Sequence, residues 1–147
     1  MGVSKEIREL LKDALPLKPH QELYIKTRGY MSGSVKFGVA TDCSDCDFVL
    51  LQKEFDGMHL GMDVLRYGAG ELYQFDGYRS WYVKCADGVV FNLLVAETDF
   101  VKSQYVYATE MILKRMAEDK EYAEAIKDKT FRIKEFQYFK SQCGGIG

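Results

Sequence analysis

Two hydrophobic periods alternate along this chain, and the points where one replaces the other divide it into elements. Over residues 4–15 the apolar Ile7, Leu10, Leu11 and Leu15 recur at helical spacing, with Ser4 placed to cap the first turn and Pro16 and Pro19 ending the run. This pattern predicts a first helix. Residues 23–31 alternate loosely around Tyr24, Ile25 and Tyr30, which predicts a strand leading into Ser32-Gly33-Ser34. Residues 46–51 predict a second strand, with Phe48 and Leu50 turned toward the core. Glycines at 57, 61, 68 and 70 interrupt the next stretch, and a short helix is expected around 62–67. Residues 80–85 and 89–96 flank Ala86-Asp87-Gly88 and read as a β-hairpin, because an Asp-Gly turn there joins two runs of β-branched and aromatic residues. An amphipathic helix is expected over 99–117, opened by Thr98 and Asp99. Charged residues over 119–129 break it, and residues 122–139 return to helical spacing before Gly144-Gly145.

The order helix, strand, strand, hairpin, helices predicts an α+β fold in which helices cover a mixed sheet. The 147 residues, 47 % of them hydrophobic, suffice for one domain with a sizeable core. Its expected parts are an N-terminal helix over 1–20, a sheet core over 21–97 and helices over 98–147. No repeat, low-complexity tract or linker interrupts them.

A formal net charge of −2 provides no global field to attract nucleic acid, so strong bulk affinity for it is not expected. Neither a secretory leader nor an apolar run of membrane-spanning length is recognisable, so a cytoplasmic protein with no membrane partner is expected. Cys43, Cys46, Cys85 and Cys143 do not resemble a disulfide framework and are read as free thiols.

Candidate chemistry concentrates in residues 33–47. In a strand, Asp45 and Asp47 project from one face, and two carboxylates so placed can hold a divalent cation. Gly33-Ser34 ahead of them offers backbone N–H groups and a hydroxyl to phosphate oxygens. Taken one dipeptide at a time, Asp-x-Asp is commonly a polar loop entering an edge strand. Here Gly33-Ser34, Gly38, Ser44, Asp45 and Asp47 fall together beside predicted strands, and adjacent like charges are costly without a cation. A P-loop is excluded because Val39 and Ala40 stand where its Lys and Ser or Thr belong. An EF-hand fails on ligand spacing, and Cys43-x-x-Cys46 lacks a second Cys or His pair for zinc.

The pattern Gly-Ser, three residues, Gly, five residues, Ser-Asp-x-Asp, carried by Gly33-Ser34, Gly38 and Ser44-Asp45-Cys46-Asp47, resembles the signature of the nucleotidyltransferase superfamily with the DNA polymerase β-like fold. It looks closest to small stand-alone bacterial and phage members, whose loop often reads as Gly38-Val39-Ala40-Thr41 does here. The resemblance covers residues 29–51. It implies that Gly33 and Ser34, with Ser44 beside them, bind a nucleoside triphosphate, and that Asp45 and Asp47 hold two metal ions, Mg²⁺ or Mn²⁺, as catalytic ligands. Members of the family draw a third carboxylate from a later strand next to the Asp-x-Asp strand. The matching strand here, residues 89–95, carries Asn92, a neutral group that cannot act as a base. Glu97, Asp99 or Asp87 would substitute in another register. The family's Arg after Gly-Ser is replaced by Val35-Lys36, which leaves Lys36 as the phosphate contact.

The resemblance implies a metal-dependent nucleotidyltransferase that moves a nucleoside monophosphate from a triphosphate, ATP foremost, to a hydroxyl on a small molecule, an RNA end or a protein. The alternative is a catalytically degenerate relative that binds nucleotide or a protein partner without turnover. A third reading is an α+β interaction domain with a chance motif. Arg79, Lys84 and Lys102 are further candidates to steady phosphates. Tyr67, Tyr73, Phe75, Tyr78, Trp81 and Tyr82 are read chiefly as packing groups, with stacking on a base as the alternative. His20 and His59 lie in no ligand motif.

Overall fold

Strand β4 (Tyr78–Lys84) and strand β5 (Val90–Ala96) form the hairpin expected from Asp87-Gly88, in a computed structural model that describes residues 5–40, 45–67 and 77–144. Gly88 turns the chain at φ +91, where a side chain would be strained. The Cys85 N–H donates to the Val89 carbonyl at 2.8 Å, and the Asp87 carboxylate accepts from the Val89 N–H at 3.1 Å. Short-range turn chemistry thus fixes the register of the pair.

Strand β2 (Cys46–Leu51) runs parallel to β5, pairing Asp47 with Asn92 and Leu51 with Ala96. Strand β1 (Tyr30–Ser32) lies antiparallel to β2, and β3 (Arg66–Tyr67) antiparallel to β4, so the described sheet is ordered β1-β2-β5-β4-β3. The parallel pair sits inside, and β5 is buried from Phe91 to Ala96. Its almost unbroken apolar run is what a strand covered on both faces requires.

Helix α1 (Lys5–Leu11) lays Ile7 and Leu11, with Ala14, against Tyr82 and Val90 on one face of the sheet. On the other face Ile25 of helix α2 (Pro19–Arg28) joins Leu17, Phe48, Leu50, Val83, Phe91 and Leu93 in the main core. Short helix α3 (Gly33–Lys36) follows β1 directly, and α4 (Gln52–Asp56) follows β2. Phe55 of α4 stacks on Trp81 with ring centroids 5.9 Å apart. The fold class is α+β with a mixed sheet.

Several local expectations are corrected. The strand predicted over 23–31 is a helix as far as Arg28, and only Tyr30–Ser32 is extended. End signals outweigh aromatic content here. Pro19 opens the first turn, the Lys18 N–H donates to Gln21 Oε1 at 2.8 Å, and Glu22 near the start with Lys26 and Arg28 near the end complement the helix dipole. The first helix ends at Leu11 rather than continuing to 15, because the following chain bonds elsewhere. Leu15 N–H donates to the Asp63 carbonyl and Leu17 N–H to the Lys84 carbonyl, each at 2.8 Å. One helix over 1–20 is therefore replaced by α1, an irregular stretch and the start of α2, while Ser4 lies outside the described residues. The helix expected over 62–67 is one turn followed by β3, where Arg66 and Tyr67 pair with Tyr82 and Trp81.

The described chain divides into units 1–101 and 102–147. Helix α5 (Asp99–Glu118) matches the expected 99–117 and runs from the first unit into the second. The helix expected over 122–139 is two, α6 (Lys120–Ala125) and α7 (Lys129–Gly144). Their starts are capped by Asp119, which accepts from Tyr122 N–H at 3.1 Å, and by Asp128, which accepts from Phe131 N–H at 2.8 Å. Within the second unit the Lys140 ammonium lies 4.7 Å above the Tyr105 ring. No helix among the described residues is long and apolar enough to cross a membrane.

Candidate functional site

Four neighbouring strands bring a row of polar residues onto one face of the sheet. Ser32 on β1 pairs with Asp47 on β2, Asp47 pairs with Asn92 on β5, and Asn92 pairs with Tyr82 on β4. Alternation along β4 places Ser80 on the same face as Tyr82. Ser32, Asn92 and Ser80 are buried, and Asp47 is partly so.

Gly33 makes the closest approach. Its φ is +76, and a Cβ on it would collide with Asp47 Oδ2 and stand 2.9 Å from Cγ. The Gly-Ser turn and the second aspartate of the motif are thus packed together, and only glycine fits at that position. Ser34 follows as a half-buried residue of α3.

Asp47 is held in an unusual setting. Its Oδ1 is occluded from solvent and has no hydrogen-bond partner among the described residues. Burial pushes its carboxyl up to about 8, the negative charge of Asp45 pushes the same way, and a hydrogen bond from Asn92 acts against both. Among the described residues no positive charge compensates an ionised Asp47. A divalent cation at this carboxylate pair would supply it, and two carboxylates completed by substrate phosphates are an ordinary donor set for Mg²⁺. The residues present fit such an ion, although no group of three or more His, Cys, Asp and Glu side chains assembles among the described residues.

Asn92 occupies the position where the resemblance implies a third carboxylate. Ser80 Oγ donates to Asn92 Oδ1 at 2.6 Å, and the Asn92 amide donates to Asp47. Its oxygen therefore faces Ser80 and its NH₂ faces the carboxylate. The register does not place the substitutes weighed for it beside Asp47. Glu97 and Asp99 lie beyond Ala96, which pairs with Leu51 at the far end of β2, and Asp87 stays in the hairpin turn.

The other candidates are dispersed. Lys36 is exposed, with its ammonium 5.9 Å over the Tyr30 ring. Lys84 Nζ donates to the Lys12 carbonyl at 3.5 Å, and Arg79 alternates to the sheet face opposite Ser80. Trp81 and Tyr82 pack in the two apolar clusters, as packing groups do. Ser44, Cys43, Tyr73 and Phe75 lie outside the described residues. Cys46, Cys85 and Cys143 are free thiols, and burial, then the charges of Asp45 and Asp47, raise the Cys46 thiol so that it stays protonated. A crevice of about 400 Å³ lined by Met31, Val35, Cys46, Phe48 and Phe91 opens on the face away from Asp47.

Ser80 is the site residue that the sequence reading passed over. Its signal was present: the Asp-Gly turn sets Tyr82 opposite Asn92, which leaves Ser80 as a small polar residue on the same face of a buried sheet. Comparison with protein-family models, with curated proteins and with solved structures found no match.

Proposed function

We propose that this chain is a small metal-dependent nucleotidyltransferase of the DNA polymerase β-like fold, acting in the cytoplasm to move a nucleoside monophosphate from a triphosphate, ATP foremost, to a hydroxyl acceptor. The observation that carries the reading is the packing of Gly33 against Asp47 with Asp47 Oδ1 buried and unsatisfied among the described residues. A buried carboxylate oxygen kept beside a glycine-serine turn is costly unless a cation and a polyanion use it.

In this reading Asp45 and Asp47 hold Mg²⁺ or Mn²⁺, Gly33 and Ser34 take the triphosphate, and Lys36 swings from Tyr30 toward it. The cation, when bound, neutralises phosphate charge and polarises the phosphorus under attack. The chain's own share is positioning: the fixed β1–α3 turn aligns phosphate oxygens with the carboxylates, and β5 fixes Asp47 from the other side. A second reading, nucleotide binding without turnover, is favoured by one observation. Asn92 stands beside Asp47, cannot accept a proton from an acceptor hydroxyl, and has its oxygen engaged by Ser80.

Thermal unfolding with and without ATP and Mg²⁺ tests the site. At a ligand concentration 100 times Kd the shift corresponds to about 2.7 kcal/mol, and the double variant Asp45→Asn with Asp47→Asn should abolish it. An equal shift in that variant removes the site. Incubating labelled ATP and Mg²⁺ with cell extract separates the two readings, since pyrophosphate release with a labelled product requires turnover.

A further inference from the structure

The Asn92 amide has one oxygen and one NH₂ group, and both are committed in opposite directions. Ser80, 5 % exposed, sits on the strand beyond Asn92 and fixes which end of the amide faces the carboxylates. Were the amide reversed, its oxygen would confront the Asp47 carboxylate, an arrangement that repels unless a cation lies between them. The hydroxyl of Ser80 at 2.6 Å selects against that reversal by giving Asn92 Oδ1 a buried donor.

We infer that Ser80 is a positioning residue which holds the Asn92 oxygen away from Asp45 and Asp47, and that Asn92, neutral and so held, leaves the site one divalent cation per chain, the ion that accompanies the triphosphate. The inference rests on the nucleotide–cation reading above and refines it. Two carboxylates balance one divalent ion. Among the described residues a second would find only a neutral amide whose oxygen is already used, and Asn92 supplies an N–H to Asp47 where a third carboxylate would supply an anionic ligand.

Mn²⁺ binding to the full chain, counted by electron paramagnetic resonance with a non-hydrolysable ATP analogue present, tests this without any turnover. The wild-type protein should bind one protein-dependent Mn²⁺, beyond that held by the analogue alone in a protein-free control. Asn92→Asp should bind two. Ser80→Ala, which frees the Asn92 oxygen to turn toward the ion, should tighten Mn²⁺ binding several-fold while lowering the melting temperature, and Ser80→Thr should restore wild-type behaviour on both measures. A residue that merely supports the fold would weaken both together, so an unchanged or weaker Mn²⁺ affinity in folded Ser80→Ala overturns the positioning role. Two ions in the wild-type protein overturn the restriction while keeping the nucleotide site. No protein-dependent ion in the wild-type protein overturns the underlying reading instead. Should Asn92→Asp fail to fold, the wild-type count and the Ser80 pair still decide.

Discussion

Phe48, Leu50, Phe91 and Leu93 leave one face of the two central strands for a closed apolar core, whereas Asp47 and Asn92, one position away in each strand, bury a carboxylate and an amide on the other. The same backbone register serves both faces. On the core face each side chain gains from leaving water, and neighbours of similar volume substitute at modest cost. On the polar face each group depends on a particular partner: Asn92 on Ser80, Asp47 on Asn92, and Asp47 on the missing side chain of Gly33. One face is tolerant and stabilising, the other specific and costly.

The largest effect should come from the core face. Leu93→Ala removes a fully buried side chain and should cost about 3–4 kcal/mol in denaturant unfolding. The variant that remains folded should keep its thermal shift with ATP and Mg²⁺, because Leu93 points away from Asp47. Loss of that shift in folded protein would dissolve the distinction between the faces.

Gly33→Ala should cost about 2–3 kcal/mol through φ +76 and the collision with Asp47. Unlike the core variant, it should also lose the nucleotide shift, since Asp47 must move to admit the methyl group.

A third prediction uses pH. The folded Asp47 carboxyl binds its proton up to about 8, above the ordinary value of 3.8, so the folded state retains a proton that the unfolded chain has already released. Its contribution to stability is complete below the unfolded value and is lost as pH rises through the folded one. In chelator, Asp47→Asn should therefore gain progressively on the wild-type protein between about pH 5 and pH 8, as measured by urea unfolding at each pH. Saturating Mg²⁺ should shrink that gain. A difference independent of pH would mean that Asp47 is already compensated within the chain.

The smallest effect belongs to Lys36. It is exposed over Tyr30, so Lys36→Ala should change stability by less than about 0.5 kcal/mol. A several-fold weaker ATP affinity, measured by calorimetry, would show that the side chain leaves Tyr30 for the phosphates, and an unchanged affinity would assign it to the surface.

The parts of this fold legible in the sequence were those written in local chemistry. Asp87-Gly88 specified the hairpin, the run from Cys46 to Leu51 specified β2, and the amphipathic stretch after Asp99 specified α5. Residues 23–28 were misread because Tyr24 and Ile25 suit a strand, while the helix there is decided at its ends by Pro19, Gln21 and Glu22. In the candidate site, the proximity of Gly33 to Asp47 followed from motif spacing. The Ser80–Asn92 hydrogen bond could not, since its direction depends on three strands meeting in register, and nothing local to Asn92 tells which end of its amide turns toward Asp47.

The parallel pairing of β2 with β5 also bears on the order of folding. The β4–β5 hairpin can close alone, but Asp47 reaches Asn92 only after the chain has looped past β3 and β4 to dock two distant segments, a step slowed by loop-closure entropy. Asp47 therefore exchanges hydration for burial at that docking event. Divalent ions supplied during refolding should act on this late stage and leave hairpin closure untouched.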